Sequence, residues 1–424
     1  MIRAVMLVLA LVQVPYSSRA LPAQAAPVTD TGGVAYPYAV FIAQVLADHP
    51  IARQADLLAE DVRSQLRTAW GAFDPTISAT WDQKRFDGTG YYSYTDVALK
   101  IPTPFGSDLK IGVERAAGQF INPDRNTPAV GLVSAGLSIP LGQRIITDER
   151  RTALVQARAV RDAGEADRIA IYNALLLNAA RAYGTWYEMW RRREIAREGV
   201  SLAQFRLEAV DERVRSGEIA PVDTLEASLE VQRRDVAQRE ADAAYFAAEL
   251  QLTAYLWDAR GNPIALADAV RPSLEGLAAG ELPTVDSTSV ARWLTAARAS
   301  NPQLRRVDAE VRSAAAQRLL TGQQLLPFAE ASVHALGDGG TTPPVFDRSQ
   351  NEDNYKGVLE IKSPLLFLKE RGRFGSAGAR LDGRRVERDR LNREIEISVR
   401  IAANELDVLR SLVALQARNV ERTR

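Results

Sequence analysis

The chain contains no cysteine and only two histidines, His49 and His334. Without cysteine there is no disulfide framework, no thiolate metal site, no cysteine nucleophile and no lipid anchor on an N-terminal Cys. The two histidines lie far apart in the sequence, which argues against a metal site. The 53 basic and 53 acidic residues balance, so nothing indicates a nucleic-acid partner. We therefore predict no metal, no cofactor and no nucleic acid.

Long hydrophobic runs are also missing beyond the N-terminus. No later segment has 18 consecutive apolar residues, so no transmembrane helix is predicted. The N-terminus has a basic start at Arg3, an apolar run over residues 4–14 and the small-x-small pattern Ala23-Gln24-Ala25. These features predict a signal peptide, residues 1–25, and an exported protein. An exported chain of this kind can span a membrane only as a closed β-barrel, because lipid offers the backbone no hydrogen bonds.

Proline is absent from three long windows, residues 141–220, 222–262 and 365–424. An interior proline costs a helix about 3 kcal/mol, so these windows are where long helices can form. Two shorter windows, each of 24 residues, lie between Pro50 and Pro75 and between Pro302 and Pro327. Six matched residues of these two windows share a constant offset of 252. The chain is therefore predicted to be duplicated.

The duplication predicts a division into successive regions. The first repeat, residues 26–256, holds a helix, strands at about 76–139 and a long helical hairpin at about 145–256. An equatorial linker, residues 257–290, follows. The second repeat, residues 291–424, holds a helix, strands at about 328–362 and a long helix. At an offset of 222, Arg424 corresponds to Leu202, so we expect the second return helix to lie beyond a truncated end.

The segments between these helices alternate with period two, as half-buried strands do. Examples are Ile77, Ala79 and Trp81 against Thr76, Ser78, Thr80 and Asp82, and Val333 and Ala335 against Ser332 and His334. Charged residues on one face and apolar residues on the other suit a polar lumen and a lipid-facing wall. The first such zone spans Pro75 to Pro140, and whether it holds two or four strands is open at this stage.

The longest predicted helix runs from about Ile145 to Val214. Its apolar residues recur every three or four positions, which indicates coiled-coil packing. They include Ile169, Tyr172, Leu176, Ala179, Tyr183, Trp186, Trp190, Val200, Ala203 and Leu207. A cofactor site is not indicated here, because such a stripe is typical of packing.

A helix-turn-helix corner follows at residues 214–227. Gly217 can take the left-handed conformation that ends a helix, and Pro221 fits the first turn of the next helix. Asp223 lies where the helix dipole favours an anion. The chain reversal predicts that residues 222–257 run antiparallel to the long helix.

The sequence combines the duplication, the two proline-bounded windows, the Pro-Leu before each long helix and the Gly217…Asp223-Thr-Leu225-Glu-Ala227 corner. In these features it resembles the TolC-like outer-membrane efflux protein family. The resemblance covers most of the mature chain. It implies a mainly α fold with a β-barrel part, in which long antiparallel coiled-coil helices form an α-barrel and transmembrane β-strands complete a duplicated unit. It also implies a homotrimer in the outer membrane and its lipid, extending into the periplasm.

The implied function is that of a channel subunit in a tripartite efflux or type I secretion system of a Gram-negative bacterium. Such a channel is a passive duct that docks a periplasmic adaptor protein and an inner-membrane pump. The resemblance places Gly217, Pro221, Asp223 and Arg215 at the periplasmic tip, where polar residues help to hold the entrance closed. The alternative for Asp223 is an ordinary first-turn helix carboxylate.

Two other classes of protein compete with this interpretation. An enzyme is not indicated, because Gly337-Asp338-Gly339-Gly340 lacks the Gly-Lys-Ser/Thr of a phosphate loop and no carboxylate pair stands out. A soluble periplasmic coiled-coil adaptor or scaffold protein would explain the long helices and the export signal. It would not explain alternating strands placed between the helices of a duplicated unit.

Overall fold

The structure, a computed structural model, describes residues 34–267, 270–274, 285–339 and 354–423. The predicted signal peptide lies outside the described residues, as does part of the predicted linker. The helices are α1 (Tyr38–Asp48), α2 (Pro50–Trp70), α3 (Glu149–Arg215), α4 (Pro221–Thr253), α5 (Ser287–Ser300), α6 (Pro302–Gln323) and α7 (Leu368–Thr423). The strands are β1 (Ala35–Pro37), β2 (Thr76–Phe86), β3 (Thr89–Pro102), β4 (Asp108–Ala117), β5 (Leu132–Pro140), β6 (Arg271–Ser273), β7 (Phe328–Asp338) and β8 (Tyr355–Lys362).

The two proline-bounded windows form similar helices, α2 and α6. In α2, the His49 side chain caps the helix by accepting a hydrogen bond from the amide of Ile51 at 3.1 Å, and Pro50 fills the first turn. In α6, Asn301 accepts from the amide of Leu304 at 3.1 Å, and Pro302 has the same place. Each helix is followed by a strand, as the prolines that close the windows predict.

A six-stranded antiparallel sheet has the order β2-β3-β4-β5-β7-β8. Four of these strands come from the first extended zone and two from the second, which answers the question that the sequence left open. The Asp87-Gly88 turn between β2 and β3 has positive φ at both residues, as a tight hairpin requires. Strands β5 and β7 pair although about 190 residues separate them, and this pairing joins the two parts of the sheet.

Helix α3 is 67 residues long, which corresponds to about 100 Å. It starts at Asp148, whose carboxylate accepts from the amide of Arg151 at 2.8 Å. Helix α4 packs back along it after the corner, while α2 and α6 pack against the part of α3 that is nearer the sheet. The predicted helix, about 145–214, is confirmed except for residues 145–148, which precede α3.

The main core lies where α1, α3 and α4 meet. Its fully buried members are Phe41, Val45, Ala179, Tyr183, Trp186 and Leu252. The Tyr183 hydroxyl accepts from the amide of Ser273 at 3.0 Å and so contacts the small parallel pair β1-β6. Burial raises the pKa of the neighbouring Tyr36 to about 12. This core holds the middle of the long helix to the short elements around it.

Helix α7 packs on α5 and α6 through Leu391 and Ile395, which contact Leu304 and Val307. Ion pairs join helices in both halves of the chain: Arg168 and Asp56 are 2.8 Å apart, and Arg388 and Asp308 are 2.7 Å apart. Beyond Ala403 the apolar residues of α7 are exposed, among them Val408, Leu412 and Val420. Among the described residues, no helix is long and apolar enough to cross a membrane.

Candidate functional site

The two faces of the six-stranded sheet differ in polarity. One face is mainly apolar across the six strands: Ile77, Leu99, Ile111, Ala135, Ala335 and Tyr355 lie level with one another in the strand register. A second row is formed by Ile139, Ala331 and Leu359. Several of these side chains are exposed in the single chain, with Ile77 at 77% and Leu359 at 65%.

The opposite face carries most of the charged residues, whereas Arg115, level with Trp81 and Thr95, lies on the apolar face at the end of β4 that is farther from the helices. One register row runs through Thr76, Lys100, Lys110, Gly136, His334 and Lys356. A second row, farther from the helices, contains Asp96, Glu114 and Asp338. Glu330 and Glu360 form a third row near the helices. The face therefore presents charges of both signs along its whole height.

This division is the inverse of the one expected for a sheet in a water-soluble domain, which exposes its polar face and buries its apolar one. Scattered exposed apolar residues need no explanation, but a continuous apolar surface marks contact with a membrane or a protein. A sheet with this polarity suits a wall between lipid outside and water inside. The predicted alternation is confirmed over most of the sheet, with exceptions at Arg115 on the apolar face of β4 and Val358 on the charged face of β8.

Gly136 provides space for the ring of His334 on the polar face. A Cβ atom added at Gly136 would lie 2.1 Å from Nδ1 of His334, which is far inside contact distance. Any larger residue would displace the ring. His334 is thus positioned by packing against the backbone of β5. Within the described residues, no group of histidine, cysteine and carboxylate side chains could hold a metal.

Ion pairs connect the sheet to the start of α3. The carboxylate of Asp108, at the end of the β3–β4 turn, lies 2.9 Å from Nζ of Lys100 and 2.9 Å from the guanidinium of Arg150. Arg144 and Glu330 form another pair at 3.2 Å. These contacts set the orientation of the sheet on the long helix. Sequence reasoning missed them, because their partners lie on different elements and follow no periodic pattern.

The corner at the far end of α3 has the predicted conformation. Gly217 has φ of +75°, in the left-handed region. The amide of Glu218 donates to the carbonyl of Arg213 at 3.0 Å, which gives the hydrogen bond of a Schellman motif. Pro221 occupies the first turn of α4, and the amide of Asp223 donates to the carbonyl of Ala220 at 3.0 Å.

The two arginines of the corner form ion pairs of different kinds, one within a helix and one across the corner. Arg215 lies 2.5 Å from Asp211 on its own helix, so within the chain it does not reach Asp223 as an ion-pair partner. Arg213 forms a pair with Glu218 across the corner at 2.9 Å. Their hydrogen bond raises the pKa of Arg213 and lowers that of Glu218. Sequence reasoning missed Arg213, because helical spacing does not extend through a corner.

The α3–α4 hairpin next to the corner leaves many apolar side chains exposed. On α3 they include Ile195, Leu202 and Phe205, and on α4 Leu225, Leu229, Val236, Phe246 and Leu250. Within the hairpin, Arg193 of α3 and Asp242 of α4 pair at 2.7 Å, so this arginine contributes to the packing of the two helices. The exposed residues recur at helical spacing, which indicates further helix–helix contacts.

Neither a protein-family model nor a curated protein sequence matches the chain. Solved structures do. The outer membrane channel CmeC of Campylobacter jejuni aligns with a TM-score of 0.53 at 11% identity, over 95% of this chain and 78% of that one. The open state of the MtrE outer membrane channel of Neisseria gonorrhoeae aligns with a TM-score of 0.53 at 16% identity, over 90% and 75%.

A membrane protein from Pseudomonas aeruginosa aligns with a TM-score of 0.51 at 16% identity, over 93% of this chain and 83% of that one. At these identities the likeness concerns the fold. The chain therefore shares the fold of the outer-membrane channels, which is the fold that its resemblance to the TolC-like family implied.

Proposed function

We propose that the chain is the channel subunit of an efflux or type I secretion system, located in the outer membrane of a Gram-negative bacterium. Three copies form a β-barrel in the membrane and an α-barrel through the periplasm, and solutes pass through this duct without chemistry. The observation that carries the proposal is the exposed apolar face of the sheet opposite a charged face. The fold shared with outer-membrane channels agrees with it.

Strand number supports an oligomer. Six strands are fewer than the eight or so that a closed barrel needs, and an open edge cannot be hydrogen-bonded in lipid. Several copies must therefore contribute strands to one barrel. The exposed apolar residues of the α3–α4 hairpin supply matching surfaces between helices of neighbouring copies.

The tip supports docking partners. Helix α3 places the corner about 100 Å from its sheet-proximal end, which suits a mouth deep in the periplasm. There the exposed side chains of Arg213, Arg215 and Glu218 face water or a partner, and Asp223 is half-buried. We assign this end to contact with a periplasmic adaptor protein and an inner-membrane pump, which deliver the substrate. A passive duct requires no catalytic residue and no cofactor.

The competing proposal is a soluble periplasmic coiled-coil adaptor or scaffold protein. It accounts for the hairpin and for α7, but it leaves the apolar face of the sheet in water. At roughly 25 cal/mol per Å² of apolar surface, exposing a patch that spans six strands is costly. The channel is therefore the better proposal.

A matched pair of substitutions on β8 separates the two proposals. Leu359 is 65% exposed on the apolar face, and its neighbour Val358 is 46% exposed on the charged face. An arginine in the lipid-facing wall costs about 2–4 kcal/mol near the bilayer centre, whereas one in the lumen meets water. We expect Leu359→Arg to abolish assembly in the outer membrane, and Val358→Arg to assemble like the wild type.

The measurement is the amount of protein in the outer-membrane fraction after carbonate washing, followed by ion conductance of the purified protein in planar bilayers. The wild type should resist the wash and conduct. Release of the wild type by carbonate, together with equal behaviour of the two variants, would instead favour the soluble adaptor.

A further inference from the structure

Among the described residues of the second half, the β3–β4 hairpin has no counterpart. Pro75 and Pro140 bound the first extended zone as Pro327 and Pro364 bound the second. Strands β2 and β5 begin and end the first zone, while β7 and β8 make up the second, of which residues 340–353 are outside the described part. Compared with its own second half, the chain therefore contains one additional hairpin, residues 89–117.

The additional hairpin continues the sheet without changing its faces. Ala79 of β2 pairs with Val97 of β3, which pairs with Val113 of β4, which pairs with Val133 of β5. Four apolar residues thus lie level across the hairpin. On the other face the hairpin presents Asp96, Lys100, Asp108, Lys110 and Glu114. It is a regular part of the wall, with the polarity of its neighbours, and not a side branch.

Among the described residues, the two outermost strands of the sheet, β2 and β8, each have one edge that pairs with no other strand. In an antiparallel sheet with an even number of strands, the first and the last strand run in opposite directions. Strand β8 of one copy can therefore pair antiparallel with β2 of the next. The apolar face extends to both edges, at Ile77 and Leu359, so such a junction continues the lipid-facing surface.

We propose that the β3–β4 hairpin is a pore-widening insert, and that β8 of each copy pairs with β2 of a second copy to close an 18-stranded barrel from three chains. The inference rests on the proposed function. With strands about 4.8 Å apart and tilted by about 40°, 18 strands give a barrel about 36 Å across between backbones. With four strands per chain, a barrel of three chains would be about 24 Å across.

The insert also contributes residues that line the lumen of the barrel. Barrels of 16–18 strands leave an aqueous channel. In this barrel the hairpin contributes two lysines and three carboxylates per copy to the lumen, which suits hydrated solutes of either charge. We therefore expect the membrane-spanning end to admit large hydrated solutes from outside, whether or not the periplasmic tip is open.

Edge pairing is tested by disulfide cross-linking in the full chain, whose natural sequence has no cysteine. Cysteine is introduced at Ile77, Ala79 or Trp81 in β2 and combined with cysteine at Tyr355, Gly357, Leu359 or Ile361 in β8. All seven positions are on the apolar face. We expect at least one combination to give covalent trimers under oxidation. Ala79→Cys with Val358→Cys, on opposite faces, should stay uncrosslinked, and failure of all twelve combinations overturns the edge pairing.

The insert itself is tested by deleting residues 89–118, which leaves β2 joined through the segment 119–131 to β5. Because Ala79 and Val133 are already level, the two strands can pair directly. The barrel diameter in top views by electron microscopy should fall by about a third. Deleting residues 119–128 instead keeps six strands and should leave the diameter unchanged.

A second readout is labelling of Ser332→Cys, on the lumen face, by maleimide-polyethylene glycol added from outside. The mass limit for labelling should be lower in the hairpin deletion than in the wild type. A wild-type barrel about 24 Å across, or equal mass limits in both proteins, overturns the insert. If the insert is overturned in this way but the wild type conducts, the proposed channel function still stands. A wild type that forms no channel overturns both the insert and the proposed function. If the deletion does not assemble, the diameter of the wild type decides.

Discussion

At the scale of single residues, three glycines allow backbone conformations or close contacts that a larger side chain would prevent. Gly217 takes a left-handed φ so that α3 can end. Gly164 lets α2 approach α3, since a Cβ atom there would lie 2.7 Å from a methyl group of Val62. Gly136 makes room for His334. Of these, only the turn glycine is apparent from the sequence, because a corner has local cues and a close approach between elements has none.

The substitution Gly136→Ala tests the packing of His334. The added methyl group must displace the imidazole ring, and overpacking of this kind costs about 1–3 kcal/mol. We expect the assembled oligomer to dissociate at a lower temperature, as measured by gel electrophoresis after stepwise heating. Adding His334→Ala should restore the wild-type temperature. Gly357→Ala in β8 is the control, because its Cβ atom would contact nothing within 4 Å; an equal effect there would contradict the steric explanation.

The substitution Asp223→Ala tests whether this carboxylate helps to hold the periplasmic entrance closed. If its carboxylate accepts a hydrogen bond from a neighbouring copy at the tip, that bond contributes about 1.5–3 kcal/mol to keeping the entrance closed. Asp223→Ala should then raise single-channel conductance and sensitise cells to large antibiotics. As a helix-end carboxylate alone it contributes about 0.3–1 kcal/mol, and conductance would stay unchanged. Asp235→Ala is the control, because it removes only the pair with Arg239 on the same helix.

At the scale of elements, periodicity located the packed stripe of α3 with an error of about one residue. Ala179, Tyr183 and Trp186 are buried as predicted, and so are Val200 and Ala203. One turn before Ala179, however, Leu175 is buried at 3% exposure, while the predicted Leu176 is only half-buried. The reason is that α3 contacts α2, α4 and α6, which approach it from different sides. A single stripe cannot describe three neighbours.

Leu176→Asp and Leu207→Asp test whether this half-buried stripe is completed by further helices. A charge placed in a packed seam costs several kcal/mol. Both variants should cross the inner membrane and then fail to assemble, as seen by the loss of oligomer in the envelope fraction. Asn173→Asp, at an exposed position of the same helix, should assemble normally. Normal assembly of both leucine variants would show that the stripe is not an interior face.

At the scale of the whole molecule, the two ends carry different chemistry. One end is a sheet with an apolar face, and the other is a charged corner about 100 Å along α3. Neither the sheet edges nor the exposed residues of the hairpin are satisfied within one chain. In the proposed assembly these surfaces are covered by neighbouring copies, and the stability of the chain then depends on its oligomerisation.

The oligomer is expected to be heat-modifiable. The full-length protein, extracted from the outer membrane without boiling, should migrate on denaturing gels as a trimer and collapse to a monomer after heating. The physical reason is that barrel strands lose all edge hydrogen bonds together when the ring opens. The check is cross-linking of the detergent-solubilised protein before and after heating. A stable, folded monomer in detergent would contradict the assembly.

The sequence by itself determined the extent of the long helices, the polarity of the strands and the shape of the corner. Each of these depends on local rules: where proline is absent, where polarity alternates, and where glycine and proline end and begin a helix. The apolar and polar faces of the sheet could be listed before any neighbour of a strand was known.

Only the tertiary structure decided which elements meet. The number of strands in the first zone, the pairing of β5 with β7 across about 190 residues, and the ion pairs of Asp108 and Arg213 were beyond sequence reasoning. The physical reason is that periodicity reports which face of an element is buried, and not what buries it. Which segments pair depends on the total packing and hydrogen bonding between parts of the chain that are distant in sequence. These contacts are defined only by the tertiary structure.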